Sequence, residues 1–330
     1  MTLSWTLQFL YSQFFAKFPY PAYDFTDQTI LVTGSNVGLA LNQWQGMEAA
    51  RHIARLGAAK VILGVRTISK GDAAAEDIAN SCNVPRANLE VWQLDMGDTE
   101  SIKSFAARAK TLKRLDGAIL NAGVLSTKWT DHAGVESHLA INVLGTMLLT
   151  NLLLPTMEKS AAATGTHGRL AVVGSDIMYL ADRKQLDVSG SILEALKDKS
   201  TAAQIGDRYA LSKLLVFYSA NDLAQRHPVS AKSGVILSVL TPGACHSDIF
   251  RDGKSFALQL GWATLARTTE VGARTLVFGV DPNLPVETHG RFLMDNRINY
   301  SRQILDNKLD ERLSRKWIAE LKQYLGSVAD

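Results

Sequence analysis

From Gln28 onward, short apolar runs alternate with longer segments whose apolar residues recur every three or four positions. The runs Ile30 to Val32, Val61 to Val65, Leu89 to Leu94, Ala118 to Leu120, Leu170 to Val173 and Val235 to Leu240 read as buried strands, with a weaker one at 289–294. Helical spacing marks 47–56, 70–80, 99–110, 132–160 and 205–226. Strands that are apolar throughout, rather than alternately, are covered on both faces. An α/β fold is therefore predicted: a doubly wound parallel sheet with helices on both faces. No Gly/Ser- or Pro-rich linker and no internal repeat interrupts the rhythm, so residues 26–330 are read as a single domain.

Three segments depart from that rhythm. Residues 181–204 are dense in charge (Asp182, Arg183, Lys184, Asp187, Glu194, Lys197, Asp198, Lys199) and read as a polar insertion of loop and short helix. Residues 1–25 form an apolar N-terminal arm, with Trp5, Leu7, Phe9, Leu10, Tyr11, Phe14, Phe15 and Phe18 ahead of or beside its first charge, Lys17. The arm lacks a signal peptide's basic start and small-residue cleavage site, and Ser, Thr and Gln interrupt it too often for a span of about 20 apolar residues. Three readings stay open: packing on the domain or on a second subunit, an amphipathic helix in peripheral contact with a membrane, and a wall for an apolar substrate. Near the end of the chain, Leu313, Trp317, Leu321 and Leu325 fall four apart, a helix stripe for domain packing or for a homo-oligomer seam.

Composition narrows the function classes. The 330 residues are 46% hydrophobic and 20% charged, a balance typical of globular chains. A formal net charge of +3 gives no nucleic-acid footprint and no pull toward acidic partners. Two cysteines, Cys82 and Cys245, do not make a disulfide framework, so a reducing, cytoplasmic setting is expected, peripheral to a membrane if the arm lies on one. The sequon Asn299-Tyr300-Ser301 has no secretory signal to accompany it and reads as a chance match.

The chemistry starts where the first strand ends. Ile30-Leu31-Val32 runs into Thr33-Gly34-Ser35-Asn36-Val37-Gly38-Leu39, a glycine-bearing turn before a helix. Such a turn allows close backbone approach, and free amide protons at the helix start suit a pyrophosphate. At the end of the second strand, Arg66 stands where an acidic residue would bind ribose hydroxyls. Its guanidinium fork suits a 2′-phosphate instead, and Lys70 is a second, weaker candidate.

With these residues the chain resembles the classical short-chain dehydrogenases/reductases, which have a Rossmann-type fold. Thr33-Gly34-x-x-x-Gly38-Leu39-Ala40 is similar to that family's glycine motif without its third glycine. If Ala40 to Gln45 are a six-residue insertion, Gly38-Leu39 joins Gly46 and the family pattern returns; otherwise Ala40 is the small residue. The resemblance extends to Asp95-Met96 beside the adenine and to Asn121-Ala122-Gly123 beside the adenosine and pyrophosphate. It also takes in Pro242-Gly243, with Ser247, flanking the nicotinamide. Tyr209 and Lys213, four apart on one helix face, with Ser175 after the fifth strand and Asn142 in an apolar helix, match the family's catalytic set. It implies that Tyr209 exchanges a proton with substrate, Lys213 lowers its pKa and contacts the nicotinamide ribose, and Ser175 orients the substrate oxygen. The resemblance likewise implies that Asn142 holds a water in a proton relay. Because the hydroxyl pair polarises the carbonyl and the histidines form no ligand cluster, no metal is expected.

The gap between Ser175 and Tyr209 is 34 residues, and the insertion at 181–204 accounts for its length. A similar expansion marks the retinol-dehydrogenase-like branch and its fungal relatives in secondary metabolism, which the chain resembles over approximately 25–325. The resemblance implies an NADP(H)-dependent oxidoreductase interconverting a carbonyl and an alcohol on a small or medium apolar substrate. Specificity is expected from 125–133, 178–205 and a substrate loop at 244–268, where Trp129, Phe250, Phe256, Leu258, Leu260 and Trp262 suggest an apolar pocket. Two alternatives remain: a catalytically silent coenzyme-binding scaffold, motivated by the insertion, and a redox-neutral isomerase or epimerase on the same fold.

Overall fold

A computed structural model describes residues 3–35, 45–230, 233–245, 266–299 and 304–329. β1 (Thr29–Thr33) is flanked in parallel by β2 (Lys60–Val65) on one side and β4 (Gly117–Leu120) on the other. β3 (Leu89–Gln93) extends the sheet beyond β2, while β7 (Gly168–Val173), β8 (Val235–Thr241) and β9 (Phe292–Met294) extend it beyond β4. β10 (Arg297–Ile298) closes the far edge antiparallel to β9 and completes an eight-stranded sheet. The strand order reverses at β1, so the ends of β1 and β4 flank the crevice where such sheets bind ligands.

Continuous apolarity in the strands follows from a core on each face. Ile30 and Val32 face α2 (Gln45–Arg55), α3 (Ile68–Cys82) and α8 (Thr269–Phe278). Leu31, between them, points to the other core with α4 (Thr99–Ala109), α5 (Thr146–Thr164), α7 (Ile205–Arg226) and α9 (Lys308–Ala329). The stretch His138–Thr164 is apolar and long enough to cross a membrane, but 72% of its most apolar window is buried inside the fold. Core packing therefore accounts for its composition.

Some elements differ from expectation. The helix expected over 132–160 starts only at His138, because Asp131 Oδ1 accepts the Gly134 N–H and closes a turn between β5 (Asp131–His132) and β6 (Val135–Glu136). Its first part, His138–Gly145, is a π-helical turn that runs into α5. α8 was not anticipated, although Thr268 caps it by accepting the Val271 N–H at 3.2 Å ahead of an apolar run. The polar insertion contains α6 (Ile192–Lys197), which buries Ile192, Leu193 and Leu196. Glu320 of α9 accepts the Ile192 and Leu193 N–H groups at 2.9 and 2.8 Å, fastening the insertion to the C-terminal helix. On that helix Leu313, Trp317 and Leu321 are buried and Leu325 packs against them, so the stripe serves the domain's own core.

The N-terminal arm folds as α1 (Leu3–Phe15) and lies against the domain. Trp5 Nε1 donates to Asp176 O at 3.2 Å, Ser12 Oγ to Asp295 at 2.6 Å, and Gln13 Nε2 to Ala244 O at 2.9 Å.

Candidate active site

Two glycines let the end of β1 and the start of α2 approach closely. Gly34 takes a left-handed φ of +69°, and Ser35 Oγ donates to Val32 O at 2.8 Å to hold the reversal. Gly46, in the first turn of α2, is where that helix comes closest to the sheet: an added Cβ would stand 2.7 Å from Gly34 O and from Asn121 Nδ2. This is the contact asked of the family's third glycine, made by Gly46 even though Ala40 to Gln45 intervene. Asn36, Gly38, Leu39 and Ala40 lie outside the described residues, as do Ser247 and the apolar residues from Phe250 to Trp262.

Asn121, Ala122 and Gly123 follow β4 and meet the same turn. Asn121 Nδ2 donates to Thr33 O at 3.2 Å, and the Ala122 N–H donates to Thr33 Oγ1 at 3.0 Å. Asp95 caps its own loop, with Oδ1 accepting the Gly97 N–H at 2.9 Å; Met96 beside it is buried. Arg66 is exposed at the end of β2. The structure thus ties Gly34, Asn121 and Ala122 together directly, with Ser35 bonded back to Val32, and leaves Arg66 exposed.

Asn142, Tyr209 and Lys213 come together, and Ser175 lies two residues beyond the carbonyl that Lys213 contacts. Asn142 sits in the π-helical turn, 2% exposed, where an unpaired amide would be costly. Its Oδ1 accepts the Val124 N–H at 2.8 Å, and Nδ2 donates to Val124 O at 2.9 Å and to Ser212 Oγ at 3.2 Å. Ser212 Oγ in turn donates to Tyr209 O at 2.8 Å, so Asn142 joins the loop after β4 to the helix that carries Tyr209 and Lys213. Lys213 Nζ donates to Val173 O at 2.7 Å, two residues before Ser175, and lies 5.5 Å from the Tyr209 ring centroid. Burial lowers the Lys213 ammonium to about 8. Ser175 Oγ accepts the Ile177 N–H at 3.4 Å, a bond that engages a lone pair of the hydroxyl and not its proton.

Electrostatics at Tyr209 differ from the expectation that Lys213 acidifies it. Burial, and then the nearby Asp176 carboxylate, push the phenol above its ordinary value, so the neutral hydroxyl is favoured. Asp176 was missed by sequence reading. It follows Ser175, is 6% exposed, and burial raises its carboxyl to about 6. Arg267, also missed, is buried beyond Pro242-Gly243: Nη1 donates to Pro242 O at 3.0 Å, and Nη2 donates to Ser12 Oγ at 2.7 Å. His138 Nδ1 pairs with Glu136 Oε1 at 2.7 Å, both buried, and the imidazole stands edge-on to Tyr209 with centroids 6.2 Å apart. Only the burial of an acid directly after the serine could have been suspected from sequence; nothing local marks Arg267.

The residues at this site fit a nicotinamide dinucleotide. Close backbone at Gly34 and Ala122, with the start of α2 against them, leaves amide groups that suit a pyrophosphate. Residues 28–179 match the family model described as short chain dehydrogenase. The short chain dehydrogenase/reductase dmxR8 of Cryptosporiopsis sp. is 39% identical over 293 residues, covering 88% of each chain. Among solved structures, a short chain dehydrogenase from Escherichia coli CFT073 described as complexed with NADPH has a TM-score of 0.59 at 21% identity, covering 84% of this chain and all of that one. An NADH-dependent reductase described as complexed with NAD scores 0.56 at 18% identity, covering 82% of this chain and 95% of its own. Likeness of fold therefore does not choose the coenzyme.

Proposed function

The chain belongs to the short-chain dehydrogenase/reductase family, an oxidoreductase family that binds nicotinamide coenzymes, and from this we propose that it is an NADP(H)-dependent carbonyl reductase acting on an apolar ketone or aldehyde. The observation that carries the reading is the convergence of Asn142, Lys213 and Tyr209, joined through Val124, Ser212 and Val173 at the ends of β4 and β7.

Gly34, Ser35, Asn121 and Ala122 would hold the pyrophosphate and adenosine, with Arg66 on the 2′-phosphate and Pro242-Gly243 along the nicotinamide. Asn36, Gly38, Leu39 and Ser247 belong to the same set by resemblance. The bound coenzyme supplies the hydride. Tyr209 holds a proton at Oη, the state its surroundings favour, and would pass it to the carbonyl oxygen as the alkoxide forms. Ser175 donates a second hydrogen bond to the same oxygen and stabilises the charge that develops there. Lys213, anchored on Val173 O, keeps a cation beside the phenol ring, and Asn142 fixes the helix that carries both.

Tyr209→Phe removes the proton and little volume. Turnover of NADPH with a panel of ketones and aldehydes is expected to fall by about 10²–10⁴, with the NADPH dissociation constant unchanged. Undiminished turnover in the variant, or a wild type silent on the whole panel, would refute the assignment.

A further inference from the structure

α1 lies against the domain yet leaves a large part of its apolar surface outward. Its polar residues Gln8, Ser12 and Gln13 turn inward. Ser12 bonds to Asp295 and receives Arg267, and Gln13 both donates to Ala244 O and accepts the Ala244 N–H at 3.2 Å. Trp5 stacks on Phe9 at 5.2 Å and reaches Asp176 O, next to Ser175. On the opposite face Leu7, Tyr11, Phe14 and Phe15 stand at positions i, i+4, i+7 and i+8, exposed by 59, 55, 57 and 68%. The Tyr11 and Phe15 rings stack at 5.7 Å and form a plate. No residue from Leu3 to Ala16 carries a charge, and the stripe ends at Lys17, which is exposed.

We propose that the outer face of α1 is a docking surface for a lipid bilayer, which seats the protein with the rim of its active site against the membrane. A water-facing helix places apolar residues inward; one that lies in the headgroup region places aromatic and leucine side chains outward, as here. Tyr11 suits that depth because its ring buries while its phenolic hydroxyl stays wet, and Leu7, Phe14 and Phe15 supply apolar surface to bury. A second copy of the chain fits less well: side chains of this size expose roughly 500 Å² in the stripe, against about 800 Å² per partner in a specific interface. Because the inner face grips Asp176, Ala244 and the Pro242 loop through Arg267, the bilayer would lie beside the segments that flank Ser175 and the nicotinamide. An apolar substrate could then enter from lipid. That consequence rests on the substrate class proposed above, whereas the binding itself does not.

The test is flotation of the full chain with neutral phosphatidylcholine vesicles, beside a variant carrying Leu7→Gln, Tyr11→Gln, Phe14→Gln and Phe15→Gln. Glutamine keeps helix propensity, and circular dichroism with a thermal melt checks that the variant folds. The wild type is expected to float, and the variant's partition to fall at least about tenfold, with both turning over a water-soluble ketone alike. A wild type that stays with the soluble fraction, or a variant that floats equally, would overturn the proposal. So would light scattering that shows a wild-type dimer and a monomeric variant, since the stripe would then be an interface between copies. Flotation is read without catalysis, so its failure is separate from failure of the reductase reading.

Discussion

Replacing Gly46 with alanine tests how the phosphate turn is built. The added Cβ would stand 2.7 Å from Gly34 O and Asn121 Nδ2 and 3.1 Å from Gly34 C, where ordinary contact begins at 3.4 Å. Gly34 O is backbone in a turn already held by Ser35 and by the Gly34 N–H to Gly64 O bond at 2.9 Å, so it cannot swing aside as a side chain could. The start of α2 must lift by about 0.7 Å, and overpacking of this kind costs about 1–3 kcal/mol. At about 2 °C per kcal/mol for a chain of this size, the melting temperature should drop by roughly 2–6 °C. The lift would also move the start of the α2 dipole from the proposed pyrophosphate position; losing a term of about 0.3–1 kcal/mol would weaken coenzyme binding roughly two- to fivefold. Alanine gains helix propensity over glycine, so Gly326→Ala in α9, where nothing lies within 4 Å, is the matched control and should stabilise by about 0.5–1 kcal/mol. Differential scanning calorimetry and a fluorescence titration with NADPH read both quantities. A Gly46→Ala protein that melts at or above wild type with unchanged NADPH affinity would refute the placement of Gly46 as the close-contact residue of this site.

Two further outcomes follow from single side chains. Arg66→Ala is expected to weaken NADPH and leave NADH nearly unchanged, narrowing the ratio of their dissociation constants by roughly tenfold; equal wild-type constants in calorimetry would contradict NADP preference. Asp176 has its carboxyl raised from 3.8 to about 6, so the folded protein holds that proton more tightly than the unfolded chain. Its contribution to stability is complete below 3.8 and is lost as pH rises through about 6, by up to about 3 kcal/mol. Asp176→Asn should therefore gain melting temperature relative to wild type at pH 8 and not at pH 4. Removing its charge should also lower the pH at which alcohol oxidation begins, since that charge adds to burial in keeping Tyr209 neutral; a pH-independent difference in melting temperature would refute the burial argument.

The sequence by itself determined the sheet and the order of its stations. Six apolar runs became β1, β2, β3, β4, β7 and β8, because covering a strand on both faces leaves a local record that needs no partner to be read. The turn at Gly34, the Asn121-Ala122-Gly123 segment and the Tyr209–Lys213 spacing were legible for the same reason: each lies within one turn or one helix face. Gly46 could be singled out only by restoring a pattern, and the contact with Gly34 O is what gives that choice a physical basis. The long-range contacts belong to the tertiary structure alone. Arg267 in a polar stretch looks like a solvated surface residue, yet it is buried between Pro242 and Ser12, and the partner is 255 positions away. Asp176 looks like a helix-start acid, yet burial beneath Trp5 raises its carboxyl against the pull of Arg267, and its charged form adds to burial in favouring neutral Tyr209. The arm's aromatic residues announced burial of some kind, but hydrophobicity along a chain has no direction. Only the docking of Ser12 and Gln13 at the rim of the site fixed which face of α1 turns inward and left Leu7, Tyr11, Phe14 and Phe15 outside.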